Sequence, residues 1–145
     1  MSLFEKFARK YFEEAVKDLE RAERALRFND YPQAVFYAQQ SVEKAVKAML
    51  ETRKKVVYNH GPELVGIFVE AFEKEWVEGY NVIVEALEFL TEYYTRSRYP
   101  FVLRGNVLGP EDVIDMETAL KGVELARKAL DVVKEYLRRR GVIQS

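Results

Sequence analysis

Cysteine is absent from this chain of 145 residues. That excludes a disulfide scaffold, a thiolate metal site and a thiol nucleophile, and it suits the cytoplasm. No apolar run approaches the roughly 20 residues that a membrane-spanning helix needs. Met1 to Lys10 lacks the apolar core of a signal peptide, so a membrane partner is not expected. An excess of either charge is also missing: 23 basic and 24 acidic residues leave a net charge of −1. Bulk charge therefore recruits neither nucleic acid nor lipid, although a local basic patch stays open. Strand-like alternation, internal repeats and low-complexity tracts are lacking as well. Residues 1–145 read as one domain.

What is present is helical periodicity. Phe4, Phe7, Ala8, Tyr11, Ala15, Leu19, Ala22 and Leu26 recur at three and four, predicting a first helix from Leu3 to Arg27. Its charged side, with Glu13–Lys17, Glu14–Asp18 and Glu20–Arg24 at i, i+4, reads as a solvated face. Asn29-Asp30-Tyr31-Pro32 is a turn in which Asp30 caps the next helix and Pro32 occupies its first turn. That second helix runs from Tyr31 to Arg53. Ala34, Ala38, Ser41, Val42, Ala45, Ala48 and Met49 cluster on one mostly small face, which lets a neighbouring helix approach closely. A third helix is expected from Pro62 to Glu78, with Trp76 on its apolar face, and a fourth from Tyr80 to Tyr94. Gly79 either breaks or kinks the path between them. A last helix is led by Glu111 and Asp112 and runs to Arg140. Its core face is Ile114, Ala119, Leu120, Val123, Ala126, Leu130, Val133 and Leu137. The fold class is all-α: an up-and-down bundle of four main helices plus a short additional one.

Two surfaces carry candidate chemistry. Gln40, Lys44 and Lys47 line up on another face of the second helix, where three donors suit an anion. The alternative there is a solvated face with a Glu43–Lys47 ion pair. Thr95 to Pro110 is longer than most bundle connections, and such loops often carry function. Within it, Arg96, Arg98, Tyr99 and Arg104 stand beside Tyr93, Tyr94 and Phe101, a set that can hold phosphate and stack a base. Arg and Tyr are equally what a dimer contact favours. Glu111, Asp112 and Asp115 sit at a helix start, where capping explains them; no metal or other cofactor is implied.

The stretch Ala38 to Leu50, AQQSVEKAVKAML, resembles the signature helix of the HEPN domain, roughly A-x-Q-A-x-E-K-A-x-K-A. Three further features fall in that family's order: Ala15, Asp18, Leu19 and Ala22 in the first helix; His60-Gly61-Pro62-Glu63-Leu64 at its His-Asp-Leu position; and Arg96-Ser97-Arg98-Tyr99-Pro100 at its Arg-Tyr-Pro segment. The resemblance implies a helical bundle, usually homodimeric, linked to nucleotides or RNA. Some members resemble accessory partners of minimal nucleotidyltransferases. Others are metal-independent ribonucleases, often toxins with such a nucleotidyltransferase as antitoxin.

The ribonucleases carry an Arg followed after four to six residues by a His. Counted from Arg96 or Arg98, that His would fall between Phe101 and Gly105, and none is there. Metal-independent cleavage needs a base for the 2′-hydroxyl, an acid for the leaving oxygen and cations on the phosphorane. Arg96, Arg98 and Arg104 supply cations, but the segment holds no base. The one histidine, His60, has the right spacing from Arg53 but the wrong place. It reads as a tie between loop and helix, as a ligand contact, or as half of a catalytic pair. The expectation is a non-catalytic nucleotide- or RNA-binding homodimer, partnered by a separately encoded nucleotidyltransferase. A divergent ribonuclease built on Arg98, Arg104 or His60 is the alternative, and a purely structural dimerisation bundle a second one.

Overall fold

The computed structural model describes residues 1–93 and 95–144; Tyr94, counted above with the stacking aromatics and as the end of the fourth helix, lies outside them. Helix α1 spans Leu3–Arg27 and α2 spans Tyr31–Thr52. Ser2 and Glu5 form a reciprocal cap on α1. The Asp30 carboxylate accepts from Gln33 N at 3.4 Å to start α2. The link between them is three residues, so the two helices pack as an antiparallel pair. Its close approach shows at Ser41, whose buried hydroxyl donates to the Ala15 carbonyl at 2.7 Å. Ala34, Ala38, Val42, Ala45, Ala48 and Met49 are all buried. α2 is the central helix, with α1, α3 (Pro62–Phe72), α4 (Tyr80–Thr91) and α6 (Met116–Arg139) packed around it. The all-α bundle expected from the sequence is what forms. No helix among the described residues is long and apolar enough to cross a membrane.

Five local expectations change. The third helix stops at Phe72, gives one tight turn over Glu73–Glu75, and goes extended at Trp76 (φ −64°, ψ 132°). The break thus precedes Gly79, which is helical and leads α4. The cause is the indole: Trp76 folds against Phe68 (5.8 Å) and Tyr80 (5.5 Å), and its Nε1 donates to Asn81 Oδ1 at 3.1 Å. Second, the long link contains an antiparallel hairpin, β1 (Phe101–Leu103) with β2 (Asn106–Leu108), paired through Val102–Val107. Its two-residue turn, Arg104-Gly105, has φ +51° and +82°. That is the mirror-image turn whose twist suits a hairpin, and glycine takes its second place without strain. Third, the last helix divides. Pro110–Val113 forms α5, Ile114 turns into the core, and Asp115 caps α6 by accepting from Thr118 N at 2.8 Å.

Fourth, Phe7 and Leu120 are exposed although they repeat at helical spacing. At 100° per residue Phe7 lies about 80° and Leu120 about 130° from the centre of its helix's buried stripe, outside the stripe in both cases. Fifth, Asp18 is not on a solvated face. It is 2 % exposed, and its two oxygens take Arg21 Nη1 at 2.6 Å and Lys44 Nζ at 2.7 Å. Such partners stabilise a buried carboxylate.

Glu51, on α2, is also buried, and its Oε2 finds no hydrogen-bond partner among the described residues. Burial pushes its pKa above the ordinary glutamate value. A carboxyl raised in the folded state contributes full stability below its unfolded pKa and loses it as pH rises through the folded one. Glu51→Gln is therefore expected to unfold at a higher temperature than the parent at about pH 8, with the gap closing at about pH 4. Thermal scans at both pH values check this; equal gaps at both would refute it.

Candidate functional site

α4 ends at Thr91, just beyond which Tyr93 N donates to the Leu90 carbonyl at 3.0 Å, and residues 95–99 then form a turn. Ser97 N donates to the Tyr93 carbonyl at 2.9 Å, and Arg98 N and Tyr99 N both donate to the Thr95 carbonyl, at 3.0 and 3.1 Å. This turn lays Arg98 across α2, with its guanidinium carbon 4.4 Å from the centre of the Phe36 ring. Gln33, Phe36, Ser97, Arg98 and Tyr99 surround an open cavity of about 490 Å³. Ser97 is buried and Tyr99 exposed. A planar cation on an aromatic face, beside a second exposed ring, is a surface on which a flat ring can stack and an anion can be held.

The second anchor lies further along α2. Glu43 is buried, and its carboxylate accepts from His60 Nδ1 at 2.9 Å and from Gly61 N at 2.9 Å. The carboxylate fixes the imidazole's orientation while the His60 side chain stays 50 % exposed. It also satisfies the backbone where α3 begins. Gly61 has φ +64°, and a Cβ there would lie 3.3 Å from Thr91 Cγ2. Only glycine suits that position, and the contact places the His60 loop beside the end of α4.

The remaining sequence candidates separate. Lys44 is held by Asp18, so its charge is already answered within the fold. Gln40 donates to Gln39 Oε1 at 2.9 Å. Lys47 does not form the expected pair with Glu43, whose oxygens serve His60 and Gly61. Burial pushes its ammonium below the ordinary lysine value, against the pull of Glu43 and with a smaller push from Lys44. Arg96 stacks on Phe101 at 5.2 Å, within its own segment. Arg104 is exposed at the hairpin tip. Arg53, which shares the ribonuclease spacing with His60, instead meets Glu75 Oε1 at 3.0 Å and lies 4.6 Å over Phe72. Glu111 is exposed, and Asp112 accepts from Gly109 N at 2.7 Å, a cap as expected. Among the described residues no group of three or more His, Cys, Asp or Glu side chains stands ready for a metal.

Sequence reasoning missed Phe36 and Glu43 as site residues. The signal was available: Phe36, Gln40, Glu43 and Lys47 repeat at i, i+4, i+7 and i+11, one ridge of α2.

The sequence pattern of the HEPN domain matches residues 8–136. The chain belongs to the HEPN family. A Methanocaldococcus jannaschii protein named "Putative toxin MJ1304" is 32% identical over 136 residues, covering 92% of this chain and 90% of that protein. Among solved structures, TT1696 from Thermus thermophilus superposes with a TM-score of 0.68 at 29% identity, over 88% of this chain and 96% of that one. An archaeal HEPN homologue superposes with a TM-score of 0.66 at 26% identity, over 90% and 97%. The matched span begins within α1 and ends within α6, so it takes in α2 with both of its anchors and the Arg98 turn.

Proposed function

We propose that this HEPN protein binds nucleotide or RNA at the Arg98–Phe36 platform, without cleaving it, and works as a toxin-like homodimer with a nucleotidyltransferase as partner. The stacked pair carries the reading: a guanidinium 4.4 Å above an aromatic ring, in an open cavity with Tyr99, offers stacking and charge together. The toxin-like part rests on the name of the archaeal relative. The homodimer rests on the hairpin, where Val102 and Val107 form a cross-strand pair 70% and 73% exposed. A second copy of the same hairpin is a self-complementary occupant for that apolar face.

One observation favours a second reading. A buried carboxylate on His60 Nδ1 is the arrangement that orients an imidazole for general acid–base work. A ribonuclease built there would use His60 with cations from α2 rather than the missing histidine of the 96–105 segment.

One experiment separates them. Wild-type protein, Arg98→Ala and His60→Ala are titrated against short fluorescent RNA in EDTA, and the RNA is examined afterwards. Binding that weakens about tenfold or more in Arg98→Ala, with intact RNA throughout, is the expected result. Cleavage lost in His60→Ala would replace it with the ribonuclease. Absence of binding at millimolar RNA would remove both.

A further inference from the structure

The ridge of α2 has two poles. Phe36, Gln40, Glu43 and Lys47 follow one another at three and four residues, so their side chains form a single row. At 1.5 Å per residue, Glu43 lies about 10 Å and Lys47 about 16 Å beyond Phe36. One pole is Arg98 on Phe36. The other is the His60 ring on Glu43, with the Lys47 ammonium one turn further along.

Lys47 is the informative residue. Its ammonium is partly desolvated, and it forms no ion pair with the described residues. Its neighbour Lys44 has Asp18, and Glu43 has both oxygens occupied. A half-buried cation whose neighbouring carboxylate, Glu43, is already engaged by His60 and Gly61 is stabilised further by an anion brought from outside. A nucleoside's own phosphate stays within one ribose of its base, well short of this pole. A second phosphate unit covers the span.

We infer that the ligand of this face carries a base for the Arg98–Phe36 pole and, beyond its first phosphate, a second phosphate for the His60–Lys47 pole. The inference rests on the reading of Arg98–Phe36 as a base-stacking platform. The shared chemistry is a base joined to two phosphates, found in a single-stranded chain of two or more nucleotides and in a nucleoside polyphosphate. Gln40 lies midway, where its amide can meet the sugar.

Calorimetric titration with AMP, the 5′-phosphorylated dinucleotide pApA and ATP tests this, because all three share one base. The expected result is pApA binding at least about tenfold tighter than AMP, the effect of one charge-assisted contact. Lys47→Met, which keeps the length of the side chain, brings pApA down to the affinity of AMP, with an unchanged circular dichroism spectrum. Arg98→Ala weakens AMP and pApA alike. ATP matching pApA assigns the far pole to a polyphosphate end; ATP matching AMP assigns it to a nucleotide chain. Equal affinities for AMP, pApA and ATP in the wild type would overturn the inference and leave the stacking platform standing. So would a pApA advantage that survives in both Lys47→Met and His60→Ala. Failure of all three ligands to bind at millimolar concentration would overturn the platform and the inference together.

Discussion

Lys44→Ala should destabilise the chain by about 3 kcal/mol, near the lower end for removing one partner of a buried ion pair. Asp18 is left nearly out of reach of solvent, with Arg21 the remaining ion-pair partner among the described residues. Arg21 keeps the loss from being larger. At this chain length the unfolding midpoint should fall by roughly 10 °C. The double variant Asp18→Leu/Lys44→Met is the informative control. It removes both charges and fills the space with apolar atoms, so it should lose less than Lys44→Ala alone. Denaturant melts of the three proteins test the pair. If Lys44→Ala costs less than about 0.5 kcal/mol, the bridge behaves like an exposed one and its burial is irrelevant. The pair joins α1 to α2 across 26 residues of sequence, so its loss loosens the two helices that hold the ridge in place.

Phe68→Ala should cost more, about 3–5 kcal/mol. Phe68 is fully buried, and its ring centre lies 5.2 Å from Phe72, 5.8 Å from Trp76 and 5.9 Å from Tyr80. These edge-on and tilted contacts join α3, the link after it and α4. Truncation opens a cavity that several rings line, and rings cannot collapse into it without losing one another. Trp76 is the only tryptophan in the chain, so its emission follows the loss directly. A red shift in the folded baseline would accompany the lower midpoint. A midpoint within a degree or two of the parent would show that the rings close over the gap.

Much of the fold was written in periodicity. α1 and the start of α2 stand where apolar spacing, Asp30 and Pro32 put them. The small face of α2 is buried as its composition demands. What escaped were features decided by contacts between distant residues. Gly79 announces an interruption, but the helix ends before it; the indole leaves the helix because Phe68 and Tyr80 receive it. Asp18 reads as a surface acid until Lys44 is seen across the interface. The hairpin escaped because strands of three residues show no alternation, and an Arg-Gly turn is a weak signal beside Asn-Gly. The site was legible by halves. Arg98 was a candidate, but its platform Phe36 was hidden in the signature helix, and the buried tie from Glu43 to His60 required the loop to fold back. The HEPN pattern supplied the family and left those pairings to be seen in three dimensions.

The hairpin also bears on how the chain behaves when crowded. Two strands alone have two open edges, each with backbone groups ready to template another strand, and here Val102, Leu103 and Val107 are apolar and exposed. That combination invites aggregation. Proline limits it: Pro100 directly precedes β1, and Pro110 follows β2 after one intervening residue, Gly109. Neither can donate a backbone hydrogen, so ladder growth is interrupted just outside each strand. The uninterrupted edge is three residues long on either side, about half of the six or seven that a stacked cross-β segment requires. The surface can accept a specific apolar partner while remaining too short to seed a fibre.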